Sequence, residues 1–281
     1  VISQLPGACI RALLMVAMVL TPSLLLPDVN SQVSDAFVLI ALFAAVFVIV
    51  EYVSIYPGLI EFRSAPPFNR VRFLTLFTTL TLIALACSSK HEPSLLARLI
   101  LAVGVLLGHS MDFPLSPIRL LIWILPEGTT LGQAQMVRAA AGLAYLTSLV
   151  GLTIFAIMIR VRGWPSPTGS FNVWINLPTF DPTAGGDVVK RLKRDGAVNI
   201  LLGLILPYLT PPLAVYIANS YGVSMLESDL MTVWVMALWA FLPTSLFLRG
   251  IAMRRLALMI SQKRRRLVSE RGVPDPAFLP A

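Results

Sequence analysis

Residues 36–60 read AFVLIALFAAVFVIVEYVSIYPGLI, with Glu51 the one charged side chain among them. A bilayer core of about 30 Å needs roughly 20 apolar residues wound as a helix, and a helix apolar on every side has no water-facing stripe. This stretch therefore reads as a membrane span. Three others match it: 137–159, with Arg138 just inside its start, 197–218, and 230–248, which ends where Arg249 opens a basic stretch. Segments 12–26 and 73–87 are shorter. At 1.5 Å per residue they rise only about 22 Å and need flanking residues or local thinning to cross.

Segment 95–125 can be read in two ways. Residues 95–108 are apolar except for Arg98, His109 to Pro114 interrupt them, and 117–125 form a second short run holding Arg119. Either both runs cross, or both dip in and return to the same face. The expectation is an all-α polytopic membrane protein, a bundle of about eight transmembrane segments or of six spans plus a re-entrant pair. Residues 1–258 form one transmembrane domain with a cytoplasmic interfacial loop at 160–195, and 259–281 form a basic cytoplasmic tail.

Composition agrees. Of 281 residues 57% are hydrophobic and 13% charged, with a mean hydropathy of +0.80. Soluble domains carry about 25% charged residues, so disorder, a disulfide scaffold and a soluble enzyme are excluded. The net charge is +8, and its distribution tests the topology. With both termini inside, 19 of the 22 Lys and Arg residues, Arg119 among them, collect on the inner side, as the positive-inside rule demands. No A-x-A cleavage site follows the first apolar run, so a removable leader is not expected. Cys9 and Cys87 fall on opposite faces and cannot pair. The charge sorting points to a bacterial cytoplasmic membrane, by a rule that organelle membranes of bacterial descent share.

The loop 160–195 holds Trp164, Phe171, Trp174 and Phe180 among prolines. Such rings suit the headgroup layer. Asp187 is a candidate N-cap for a short surface helix that carries Lys190, Arg191, Lys193 and Arg194. With Lys263, Arg264, Arg265 and Arg266, these suit anionic lipid headgroups or a partner surface. No nucleic-acid motif accompanies them.

Ionisable groups within spans are the default functional suspects. Glu51 could relay a proton or hold a cation, or it could pair with Arg70, Arg72 or Arg119. His109, Asp112 and Arg119 form a second constellation, either a polar re-entrant tip that holds a solute or a hydrated inner turn. The run Pro207-Tyr208-Leu209-Thr210-Pro211-Pro212 lies mid-span, where proline frees carbonyls. It reads either as a broken substrate helix, with Tyr208 and Thr210 as contacts, or as a packing kink. Gly104, Gly108, Ala140, Ala144 and Ser148 allow helix backbones to approach closely, within the bundle or against another subunit. Soluble-type catalytic motifs and paired histidine ligands are absent from the sequence, so no cofactor, metal or catalytic residue is expected. Three readings follow: a non-catalytic subunit, assembly factor or scaffold of a larger membrane complex; a small-solute or ion transporter; and a membrane enzyme acting on lipid. Scarce charge at the bilayer midplane favours the first.

Overall fold

The computed structural model describes residues 4–27, 29–90, 94–165, 171–181, 183, 185–222 and 228–270. Among these the ordered elements are all helices: α1 (Leu5–Leu25), α2 (Ser31–Val53), α3 (Phe68–Ser88), α4 (Leu95–Ser110), α5 (Pro117–Trp123), α6 (Leu131–Arg162), α7 (Val173–Asn176), α8 (Val188–Tyr221) and α9 (Asp229–Glu270). Six of them, α1, α2, α3, α6, α8 and α9, are long and apolar enough to cross a membrane.

Local chemistry sets the helix starts. Side chains of Asn30, Ser94, Ser116 and Asp187 accept from backbone N–H groups in the first turns of α2, α4, α5 and α8. Thr130 and Gln133 form a reciprocal capping box at α6. Gly163 and Gly222 end α6 and α8 at φ near +62°, the left-handed conformation that glycine adopts without steric penalty.

Two cores lie at opposite ends of the bundle. One joins the end of α3 to the starts of α6 and α9 through Leu80, Ile83, Val137, Ala140, Ala144, Val233 and Met236. The other joins the start of α3 to the end of α6, the start of α8 and the second half of α9 through Phe62, Phe68, Phe155, Trp164, Leu192, Leu248 and Met253. Long helices consecutive in the chain therefore run antiparallel, whereas α6 and α9 pack side by side in parallel. Helix α2 packs principally on α1, and α8 on α9.

Four expectations change. The first concerns α2, which stops at Val53, short of Ile60. The surface helix expected after Asp187 is instead the first turns of α8, which continues without interruption through Pro207, Pro211 and Pro212. Likewise α9 runs through 258 to Glu270, so the first part of the basic tail extends a spanning helix. Finally, Trp164 and Phe180 of the loop are core rather than interfacial, with Phe171 packed against them, while the Trp174 side chain lies outside the described residues. Trp164 is 2% exposed, packs on Phe62, Phe68 and Phe155, and donates its indole N–H to Ala65 O at 3.0 Å.

Segment 95–125 contains one 16-residue helix and one of seven residues. These rise about 24 and about 10 Å, so α5 cannot cross a bilayer core. The link between them does not reach the far end. Asp112 meets Arg138 in the early turns of α6, and Leu115 O accepts from Tyr208 Oη at 3.1 Å. Asp112 and Arg119 thus belong to the end of the bundle where α6 begins, whereas the sequence reading grouped them with the opposite end.

Candidate functional site

The buried carboxylates form three groups, and each is tied into the fold. Glu51 lies in the last turn of α2 and is 8% exposed. Its carboxylate accepts from the backbone N–H groups of Gly58 (3.1 and 3.2 Å), Leu59 (3.0 Å) and Ile60 (3.0 Å). Consecutive N–H groups converging on one anion make a nest. Arg63 completes the turn by donating to Glu51 O at 2.6 Å and Ser54 O at 2.7 Å, carbonyls that the helix end leaves free. The partners anticipated for Glu51, namely Arg70, Arg72 and Arg119, do not hold its carboxylate. The peptide backbone does, because the chain turns sharply enough after Val53 to bring 58–60 back to it.

The second group centres on Glu61, which sequence reasoning passed over. Arg249 donates to it twice, Nε to Oε2 at 2.7 Å and Nη2 to Oε1 at 2.8 Å, the fork geometry that makes arginine–carboxylate pairs strong. Thr179 Oγ1 donates to Oε1 at 2.7 Å, and Arg249 Nη1 donates to Asn199 Oδ1 at 3.1 Å. Asn199 in turn donates to Asp195 O at 2.7 Å. This network ties the α2–α3 connection, the α7–α8 connection, α8 and α9 together at one end of the bundle. One signal was legible: Glu61 and Arg249 both end apolar runs on the side read as cytoplasmic.

In the third group Asp112 stands between two arginines. Arg119 Nε contacts Oδ1, and Arg138 Nε lies 2.9 Å from Oδ2. Arg119 also donates to Asp112 O at 2.8 Å. His109 lies in the last turn of α4 with its side chain exposed, outside this set. His91 lies outside the described residues. Among the described residues no three His, Cys, Asp or Glu side chains gather to hold a metal ion.

One of the carbonyls that the prolines of α8 free finds its donor inside the bundle. Pro211 lacks the N–H that would bond Pro207 O, and Trp239 Nε1 on α9 donates to that carbonyl at 3.1 Å. Thr210 Oγ1 donates to Leu206 O at 2.7 Å. A crevice of about 570 Å³ lies beside these residues, lined chiefly by apolar side chains such as Leu121, Val215, Met236 and Leu242.

The small residues serve packing inside the chain. A Cβ on Gly108 would lie 2.4 Å from Arg138 O, and one on Gly142 would lie 2.5 Å from Gly108 N, so α4 and α6 touch backbone to backbone. Gly104 faces Ala139 and Leu143 in the same seam. Ala140 and Ala144 are fully buried and Ser148 nearly so. A second close crossing joins Gly196 of α8 to Gly250 of α9.

The basic groups differ among themselves. Arg191 lies over the Phe180 ring at 4.7 Å, Arg194 pairs with Asp195, and Arg264 donates to Asp187 at 2.7 Å. Lys190, Lys193, Lys263, Arg265 and Arg266 are exposed. No family model, curated protein or solved structure matches this chain.

Proposed function

We propose that the chain is a non-catalytic subunit or scaffold of a larger membrane protein complex, housed in a bacterial cytoplasmic membrane with both termini cytoplasmic and α4–α5 as a re-entrant pair. The observation that carries this reading is the condition of the buried carboxylates. Glu51 is occupied by three backbone N–H groups, Glu61 by Arg249 and Thr179, and Asp112 by Arg119 and Arg138. A carrier works by letting such a group exchange partners between states. Here each exchange would dismantle a turn or a helix contact.

The exposed apolar faces of α2 and α8, among them Leu42, Phe43, Val46, Leu201, Leu204 and Leu213, suit lipid and neighbouring integral subunits. The basic ends of α8 and α9 suit anionic headgroups. The apolar lining of the crevice beside Thr210 and Pro211 weighs against passage of a polar solute.

A deletion strain tests the reading. Loss of the gene should remove or shrink one membrane complex on a native gel, and re-expression of Glu51→Gln or Asp112→Asn protein that still inserts should restore it. Unchanged complexes together with loss of uptake of a small solute would favour the transporter reading instead.

A further inference from the structure

Beyond the charges already paired, Arg11 and Arg72 stand against aromatic rings with no anion among the described residues. Arg72 lies in the second turn of α3, its guanidinium carbon 5.5 Å from the Phe68 ring centre and 5.9 Å from that of Phe241 on α9. Its Nε is buried with no hydrogen-bond acceptor. Among the described residues no carboxylate lies within ion-pair distance of it. Glu61 and Tyr52 act on it electrostatically, but Glu61 is already held by both arms of Arg249. Arg11 lies over the Tyr52 ring, its guanidinium carbon 4.5 Å from the ring centre. Its described hydrogen bond goes to Gly7 O, and among the described residues no carboxylate pairs with it either.

The local charge does not balance. Glu51 is held by backbone N–H groups and Glu61 by Arg249 and Thr179, so neither carboxylate is left for Arg11 or Arg72. Arg11 is in the second turn of α1, Tyr52 in the last turn of α2 and Arg72 in the second turn of α3. All three therefore lie near helix ends on the side where α1 and α3 begin and α2 finishes. An arginine held between aromatic rings in a low-dielectric setting keeps its charge and needs an anion nearby.

We propose that Arg11, Tyr52 and Arg72 bind a phosphate group between the end of α2 and the starts of α1 and α3. The guanidinium groups donate to its oxygens in the planar geometry arginine offers phosphate, and the Tyr52 hydroxyl adds a third donor. A phosphodiester of an anionic lipid and free inorganic phosphate present the same chemistry.

Native mass measurement of the full chain, titrated separately with phosphatidylglycerol, phosphatidylcholine of the same chains and inorganic phosphate, tests the site. The unsubstituted protein should hold one phosphatidylglycerol at least about tenfold more tightly than phosphatidylcholine. Arg72→Gln should lose about tenfold of that affinity, the weight of one charge-assisted hydrogen bond. Arg11→Gln, a change on an exposed face, should also weaken binding, which guards against an Arg72 variant that fails to fold. Displacement of the lipid by millimolar inorganic phosphate would make the free ion the ligand of the same site; no displacement would make it the lipid. The exposed cluster at 263–266 is intact in every variant, so its nonspecific lipid binding cancels. Equal retention of phosphatidylglycerol by Arg72→Gln, Arg11→Gln and the unsubstituted protein, with no Arg72-dependent phosphate binding, would overturn the proposal.

Discussion

Glu61 and Arg249 illustrate what a single side chain can cost in this bundle. Removing either partner strands a charge among buried groups, which costs about 3–5 kcal/mol. Glu61→Ala and Arg249→Ala should each lower stability by that order, and replacing both partners with neutral residues of similar size should recover much of it. Chaotrope unfolding in detergent, run as a double-mutant cycle, reads the difference. Glu51 behaves differently because its partners are backbone. Glu51→Ala leaves three N–H groups without their acceptor and should cost about 1–3 kcal/mol, whereas Glu51→Gln keeps an acceptor oxygen and should cost less. At this scale the sequence was half legible. Glu51 stood out because it interrupts an apolar run. Glu61 and Arg249 did not, because charges that flank apolar runs are ordinary, and nothing local says that two residues 188 positions apart meet.

Helix α8 shows how an element tolerates residues that ought to break it. Pro211 withholds an N–H from Pro207 O, and the Trp239 indole replaces it. Trp239→Phe should therefore cost about 1–3 kcal/mol through the unpaired carbonyl. It should cost less in a Pro211→Ala background, where the backbone supplies the donor again; equal costs in both backgrounds would contradict the assignment. The α4–α6 seam is stricter: Gly142→Val would drive a side chain into the backbone of Gly108, and cross-linking between the two helices should fall. At the start of α8, the Arg264 hydrogen bond holds the Asp187 carboxyl below the usual carboxylate range, and the Val189 N–H adds to this. A lowered folded-state pKa gives stability that is full above the unfolded value near 3.9 and is lost as pH falls through the folded value. Amide exchange over 188–192 should accelerate on acidification into that range, and Asp187→Asn should abolish the change. Hydropathy located these elements because the bilayer dictates their length. It misplaced the end of α2 and the separate surface helix, since both boundaries depend on where a carboxylate or a second helix meets the chain.

For the whole molecule, the six long helices and the antiparallel order were legible, because apolar length and charge asymmetry are properties of the sequence itself. The pair at 95–125 was not. Its two runs resemble short spans, and only the contacts of Asp112 with Arg138 and of Leu115 with Tyr208 keep its link away from the far end. The rings of Trp164 and Phe180 were read as interfacial for a related reason: rings that suit an interface also suit a core, and only packing decides between them. The molecule that results has apolar flanks, close internal seams and buried carboxylates committed to structure, with basic helix ends as its exposed charged surface.

Extraction of the protein from its own membrane in a mild detergent, followed by native mass measurement, bears most directly on the claim that it is a structural subunit. The expected result is a defined assembly heavier than the 30.7 kDa chain, with fixed stoichiometry and the same mass for Glu51→Gln protein. Recovery of an isolated monomer that binds a small solute, with binding lost in Glu51→Gln, would contradict it.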